Sequence, residues 1–184
     1  LIKRDGAWYA FPSHMNSADA REKWPPTTRY EAVTKYGSNN AIIWNKKLLE
    51  KAGLKVEDLK TESQVLAAFE KVKNMEVDGE KVNPLMIDGS VWQDSTLPFL
   101  QSSFGAEWLD ENDEYMDITL QPQTKNALKF LNTVMSKGYA QPKQINMDIK
   151  ELQDAIKNKP YLCFIGNINN TGVMMDEWIS SGPI

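Results

Sequence analysis

One cysteine and one histidine occur in 184 residues, and these two shortages exclude much chemistry. A lone thiol cannot close an internal disulfide, and no zinc-ligand spacing surrounds it. Cys163 lies inside the apolar run YLCFIG, where a free cysteine is expected to pack as a small, inert hydrophobe. His14 is the sole imidazole, so a Ser-His-Asp arrangement would rest on it alone. Neither Ser13 nor Ser17 sits in a nucleophile elbow, and His14 is expected to be a surface-loop residue. Metal ligation lacks histidine pairs. There is no glycine-rich phosphate loop and no GxGxxG. No apolar stretch is long enough to span a bilayer. A basic stripe is missing too: the net charge is -4 and the pI about 5.1, which argues against a nucleic-acid partner. Lys46, Lys47 and Lys51 read as the exposed face of one helix. No signal peptide opens the chain, LIKRDGAWYAF reading as mid-domain sequence. The end, ISSGPI, carries no terminal signal, and an excised fragment is expected.

What is present suits a soluble globular unit. Hydrophobic residues make up 41% and charged residues 25%, enough apolar mass for a core in one domain or one lobe. No repeat or low-complexity linker marks an internal boundary. GAWYAFP, residues 6–12, predicts a strand stopped by Pro12. Residues 13–37 are polar, carry Pro25 and Pro26, and predict a long loop, a class that is often functional.

The stretch NNAIIWNKKLLEKAGL predicts a short buried strand at 41–44. It passes directly into a helix capped by Asn45 and stopped at Gly53. Thr61 and Gln64 predict a capping box opening a helix that turns Val65, Leu66, Phe69 and Val72 inward. A turn at Asp78-Gly79 precedes a strand at 84–87. Asp88-Gly89-Ser90 reads as a turn, then Val91 to Phe104 as a helix ending at Gly105. Residues 110–117 read as an acidic turn. The run Asp110, Glu111, Asp113, Glu114 lacks the EF-hand order of calcium loops. Pro122 starts a helix that stops at Gly138. Asp148 and Glu151 cap a shorter helix to Ile156, and 161–165 is a strand. GNINN, residues 166–170, is a polar turn leading into a helix with Met174, Met175, Trp178 and Ile179. Strands alternating with a larger share of helix make the class α/β.

Tryptophans and amides then stand out at the strand ends: Trp44, Trp92 and Trp108 with Asn39, Asn40, Asn167, Asn169 and Asn170. Open α/β sheets bind ligands beyond strand ends. A flat ring with paired amide donors and acceptors suits the C–H faces and hydroxyl rim of a sugar. Trp44 and Trp178, on apolar-periodic segments, are expected in the core. Trp92, flanked by Ser90, Gln93 and Asp94, is expected at a ligand or at the surface. Two other classes stay open. A glycan-acting enzyme could use carboxylates distant in sequence, and would consume its ligand where a binder returns it. An interaction module would show an exposed apolar patch instead of a cleft.

The order of segments resembles a known family. DGAWYAFP, IIWNKKLLEKAGL, VLAAFEKVKN, NPLMIDGSVWQDSTLPFLQSSFGAEW, NALKFLNTVMSKGY and DAIKNKPYLCFIGN follow, in register, the pattern of the extracellular solute-binding proteins of ABC importers. The similarity is to the sugar-binding branch that includes maltose-binding protein. NKKLLEKAGL is the most specific piece, and the resemblance covers nearly the whole chain. It implies a two-lobed, periplasmic-binding-protein-like clamp closing on its ligand by hinge bending. Residues 1–184 would be one helix-rich lobe, mostly the C-terminal one: a small mixed sheet flanked by helices. It also implies a mono- or oligosaccharide ligand, ABC permease subunits as partners and a monomeric state. No cofactor, metal or catalytic residue is implied. The location would be extracellular or periplasmic, with lipoprotein anchoring in the full-length protein. Trp92 falls in the family's sugar-stacking aromatic turn, with Gln93 and Asp94 beside it. Asn39 and Asn40 would sit at the cleft mouth. Relatives carry a G-x-W type turn where this chain has GNINN, with Ile168 or Asn169 at the tryptophan position. Asn167, Asn169 and Asn170 are left there as amide contacts. The family's T-W-D-E start is TESQ here, which keeps the cap and loses the tryptophan. PYLCFIG replaces a run of small residues. Residues 13–37 are longer than the family pattern, as a lineage-specific binding surface or a lid would be.

Overall fold

The computed structural model describes residues 3–8, 40–89, 95–173 and 176–184. Strands β1 (Lys3–Arg4) and β2 (Ala7–Trp8) form a small antiparallel hairpin. The strand expected at 6–12 is therefore only two residues long within the described part. The rest of it, the 13–37 loop, His14 and Asn39 lie outside the described residues.

β3 (Asn40–Asn45) runs into α1 (Lys46–Lys51) without a linker. The junction is tight because Asn45 ends the strand and caps the helix together: the Leu48 N–H donates to its Oδ1 at 3.0 Å. The stop comes at Gly53, whose φ of +59° is left-handed backbone that a residue without Cβ adopts freely. α2 (Glu62–Val72) is capped by Thr61, which accepts the Gln64 N–H. The expected box is displaced, however. The Gln64 side chain takes the Lys60 N–H at 3.0 Å instead of the Thr61 N–H. β4 (Glu76–Val77) and β5 (Glu80–Lys81) make a hairpin across Asp78 and Gly79. Both turn residues have positive φ, 57° and 82°, the geometry that favours an Asp-Gly pair in two-residue hairpin loops.

β6 (Asn83–Ile87) is followed by α3 (Thr96–Ser103), α4 (Pro122–Ser136) and α5 (Ile149–Asn158). α3 begins at Thr96, after the Val91 expected from sequence, and residues 90–94 lie outside the described part. α5 carries the full reciprocal capping box of Asp148 and Glu151. β7 (Tyr161–Asn167) extends two residues past its expected end. β8 (Trp178–Ser181) replaces the helix expected around Trp178. Those residues pair with β3, Asn45 opposite Trp178 and Ile42 opposite Ser181, so long-range strand pairing overrides a local helical spacing.

The four long strands form one sheet in the order β6-β7-β3-β8. β6 and β7 are parallel, and β3 is antiparallel to both β7 and β8. Three strands thus run one way, and their carboxyl ends meet the start of β3. Both faces are covered. Ile42, Trp44, Leu85, Ile87, Cys163 and Ile165 join one core cluster with Phe69, Leu100 and Phe130 of α2, α3 and α4. Ala41, Ile43, Met86 and Phe164 join the other with Leu152 and Ile156 of α5. Burial on both faces explains why AIIW and YLCFI read as unbroken apolar runs. Trp44 and Trp178 are buried, as expected. Trp44 donates its indole N–H to Ser181 Oγ at 2.9 Å, which satisfies the one polar atom of the ring. Cys163 is buried as expected, and burial pushes its thiol up.

Candidate ligand site at the strand ends

The end of the sheet where β6 and β7 finish and β3 begins gathers polar side chains. Asn40 and Asn167 are opposite each other in the β3–β7 register. Asn167 ends β7 and caps the 3-10 turn Ile168–Asn170, accepting the Asn169 N–H at 2.9 Å. That turn brings Asn170 back over the sheet, where its Nδ2 donates to Asp88 Oδ2 at 2.7 Å. Asp88 follows β6 and is 2% exposed. Asn40, Asn167 and Asn170 are half-buried, and Asn169 is exposed.

The position of Asp88 is determined from several sides. Thr96 Oγ1 accepts the Asp88 N–H at 2.7 Å and donates to the Ile165 carbonyl at 2.5 Å. The Thr96 N–H returns to the Asp88 carbonyl at 2.9 Å. The start of α3 is thereby clamped to the ends of β6 and β7. Gly166 has φ +147°, and a Cβ there would lie 3.0 Å from Phe164 Cζ and 3.1 Å from Asp88 Cβ. At Gly89 a Cβ would meet the Ile145 carbonyl oxygen at 2.2 Å. Two backbones approach closely there, as they can only around glycine. A rigid backbone carrying a buried carboxylate and convergent amides can orient hydroxyl groups by donating and accepting hydrogen bonds.

Of the residues expected at the site, the structure brings Asn40, Asn167 and Asn170 together. It leaves Asn169 on the outside of the turn. Asn39, Trp92, Gln93 and Asp94 lie outside the described residues. Asp88 is the residue that sequence reading missed. Its Asp-Gly pair reads as a plain turn, and its partner Asn170 is 82 positions away. Trp108 follows α3 and stacks at 6.0 Å on Tyr115 in a small exposed hairpin. It does not stand at a sheet end. The acidic run beside it is a solvated turn. Asp110 Oδ1 accepts the N–H groups of Asn112 and Glu114, and the Glu114 bond first, then Asn112, holds its carboxyl below the usual range. Among the described residues no group of three or more potential ligands could hold a metal ion.

A groove of about 810 Å³ opens at the other end of the sheet, where β3 finishes and β7 and β8 begin. Asn45, Lys47, Asp78, Lys157, Asn158 and Trp178 are among its lining residues. Its walls mix lysines with carboxylates, and they reach Thr171, Gly172 and Val173, directly after the Ile168–Asn170 turn.

Comparison with known proteins agrees with this architecture. The profile described as "Bacterial extracellular solute-binding protein" matches residues 7–182. A search of curated proteins returned no match. Among solved structures, the ABC-transporter substrate binding protein FusA of S. pneumoniae in complex with kestose superposes with a TM-score of 0.66 at 18% identity, covering 77% of this chain and 30% of that one. A solute binding protein of Agrobacterium vitis S4 with bound D-mannitol gives 0.56 at 22% identity, covering 77% and 35%. A sugar transporter of Arthrobacter chlorophenolicus A6 with bound laminaribiose gives 0.57 at 17% identity, covering 92% and 47%. The chain spans less than half the length of each of these structures, and likeness at such identity is a likeness of fold. The family profile, matched from near the first residue to near the last, identifies the chain as a member of the bacterial extracellular solute-binding proteins.

Proposed function

We propose that this chain is one lobe of a two-lobed carrier that captures a carbohydrate outside the cell and hands it unaltered to the permease of an ABC importer. The observation that carries this reading is the convergence of Asn40, Asp88, Asn167 and Asn170 at the ends of β3, β6 and β7. A sugar presents a ring of hydroxyls, each both donor and acceptor. Amides and a carboxylate held on rigid strand ends match that rim, and an aromatic ring matches its C–H face. Trp92 supplies that ring in this reading. It belongs to the segment between Asp88 and Thr96, whose backbones are hydrogen-bonded to each other. The sugars named for the FusA, A. vitis and A. chlorophenolicus structures support the ligand class.

A carrier requires no bond-making group. It needs a cleft whose two walls close by hinge bending, so that contacts from both lobes add. The protein works as a monomer in the extracellular or periplasmic space, held to the membrane as a lipoprotein. The test is a thermal-shift screen of the full-length protein against mono- and oligosaccharides, with peptides as controls. A carrier gains stability by mass action from its ligand, and chromatography recovers that ligand intact. No shift with any saccharide, or a shift followed by hydrolysis of the sugar, would contradict the proposal.

A further inference from the structure

The hairpin that follows α3 takes no part in the strand-end site. α3 begins at that site with Thr96 and ends at Ser103, about 12 Å further along the helix axis. Residues 108–116 turn back on themselves beyond it, and they are firmly held. The Met116 N–H donates to the Trp108 carbonyl and the Asp110 N–H to the Glu114 carbonyl, each at 2.9 Å. The side chain of Gln121, at the start of α4, accepts the Glu107 N–H at 3.1 Å and donates to the Glu107 carbonyl at 2.6 Å. The hairpin nevertheless turns large apolar groups to solvent. Trp108 is 53% exposed, Leu109 47% and Tyr115 68%, and Leu120, in the adjoining 3-10 turn Ile118–Leu120, is 83% exposed. These are four of the seven large hydrophobics exposed among the described residues, so apolar exposure is concentrated here. Carboxylates are interleaved with them: Glu107, Asp110, Glu111, Asp113, Glu114 and Asp117. The ion pairs among the described residues are those of Lys47 and Lys51 with Asp78, and none of the hairpin carboxylates enters one.

We propose that this hairpin is a docking surface for a basic, arginine-bearing segment of a partner protein. A concentration of exposed apolar side chains marks an interaction surface, and tryptophan and tyrosine are the residues that most often anchor one. The carboxylates select the partner by charge. A guanidinium stacks over an aromatic face and forks onto a carboxylate, so a single arginine side chain matches both features of the hairpin at once. An anionic membrane or a nucleic acid would meet like charge here. A neutral sugar would use the rings of Trp108 and Tyr115 but carries no charge to meet the carboxylates. The partner reaches a surface that is already ordered, which keeps the entropic cost of docking low. Because the length of α3 separates the hairpin from the strand ends, a partner and a solute can be held together, and the proposal stands independently of the carbohydrate reading.

The test is titration of ¹⁵N-labelled full-length protein with end-blocked hexa-arginine, hexalysine and hexaglutamate peptides, following the indole N–H of Trp108. Hexa-arginine should shift that resonance while the indoles of the buried Trp44 and Trp178 stay in place. Hexalysine, which lacks the planar fork, should bind several-fold more weakly, and hexaglutamate should not bind. Trp108→Ala should weaken hexa-arginine binding about tenfold, and so should the combined Glu111→Gln, Asp113→Asn and Glu114→Gln variant. All four side chains are exposed, so the unfolding midpoints should hold. A Trp108 indole unmoved by hexa-arginine overturns the proposal without any variant. A folded Trp108→Ala protein that binds the peptide as tightly as the unaltered one overturns it too. So does a Trp108 indole that moves with a neutral saccharide and not with hexa-arginine, which would make the hairpin a sugar surface. Sedimentation of the peptide-free protein as a dimer that loses its association in Trp108→Ala would assign the surface to a second copy instead.

Discussion

Asp88 shows how one residue acquires partners that its neighbours in sequence do not announce. Its backbone is clamped by Thr96, and its carboxylate is aimed by Asn170. Local reading finds only an Asp-Gly turn, because the two partners arrive from a later helix and a later 3-10 turn. The asparagines were more legible, since amides at the ends of apolar runs are conspicuous. Trp92 is the residue we propose for the apolar face of the ligand. Replacing it with alanine should weaken saccharide binding by about 1 to 3 kcal/mol, from lost burial and stacking. Titration calorimetry with the screened sugar checks this, and unchanged affinity removes Trp92 from the site. Tyr139 offers a test of the core. Burial, with the hydrogen bond from its hydroxyl to Glu70, raises its pKa to about 12. The unfolded chain ionises the same group near 10, so the contribution is complete below about pH 10 and is lost as pH rises toward about 12. Unfolding free energy should fall more steeply across that window in the unaltered protein than in Tyr139→Phe. Parallel slopes in urea titrations at several pH values would contradict it.

Elements were legible where their signals are local. Asn45 before α1 and Asp148 with Glu151 before α5 are caps whose bonding partners lie three residues on, so sequence spacing alone reveals them. The strand at Trp178 was not legible. Met174, Met175, Trp178 and Ile179 share a helical spacing, while the pairing that makes β8 comes from Asn45 and its neighbours on β3, more than a hundred residues earlier. The joint between α3 and the sheet is the most consequential for the site. Thr96 Oγ1 serves as acceptor for Asp88 and donor for Ile165 in a buried setting. Thr96→Val keeps the shape and removes both bonds. It should cost about 1 to 3 kcal/mol, because buried polar groups lose their partner. It should also lower saccharide affinity, because Asp88 is no longer fixed. A urea midpoint and an affinity both equal to those of the unaltered protein would show that the clamp is unimportant.

At the scale of the whole molecule, the α/β class and the two-faced burial of the sheet follow from the long apolar runs, and the family follows from the order of segments. What sequence could not supply is the direction of the strands. Three of them end where β3 begins, which turns scattered amides into a single cluster. In the two-lobed reading proposed above, this chain presents one wall of a cleft. The 184-residue chain alone should therefore bind its sugar at least a hundredfold more weakly than the full-length protein, since contacts from a second wall are missing. Equal affinities would contradict the two-lobed account.

The central claim is that the ligand sits at the carboxyl ends of β6 and β7. It is tested most directly by following side-chain amide resonances of ¹⁵N-labelled full-length protein during titration with the saccharide that stabilises it. The account predicts that the amides of Asn40, Asn167 and Asn170 shift with ligand, while those of Asn45 and Asn158, which line the groove at the other end of the sheet, stay in place. Shifts at Asn45 and Asn158 with none at the strand-end asparagines would contradict it and move the ligand to the groove.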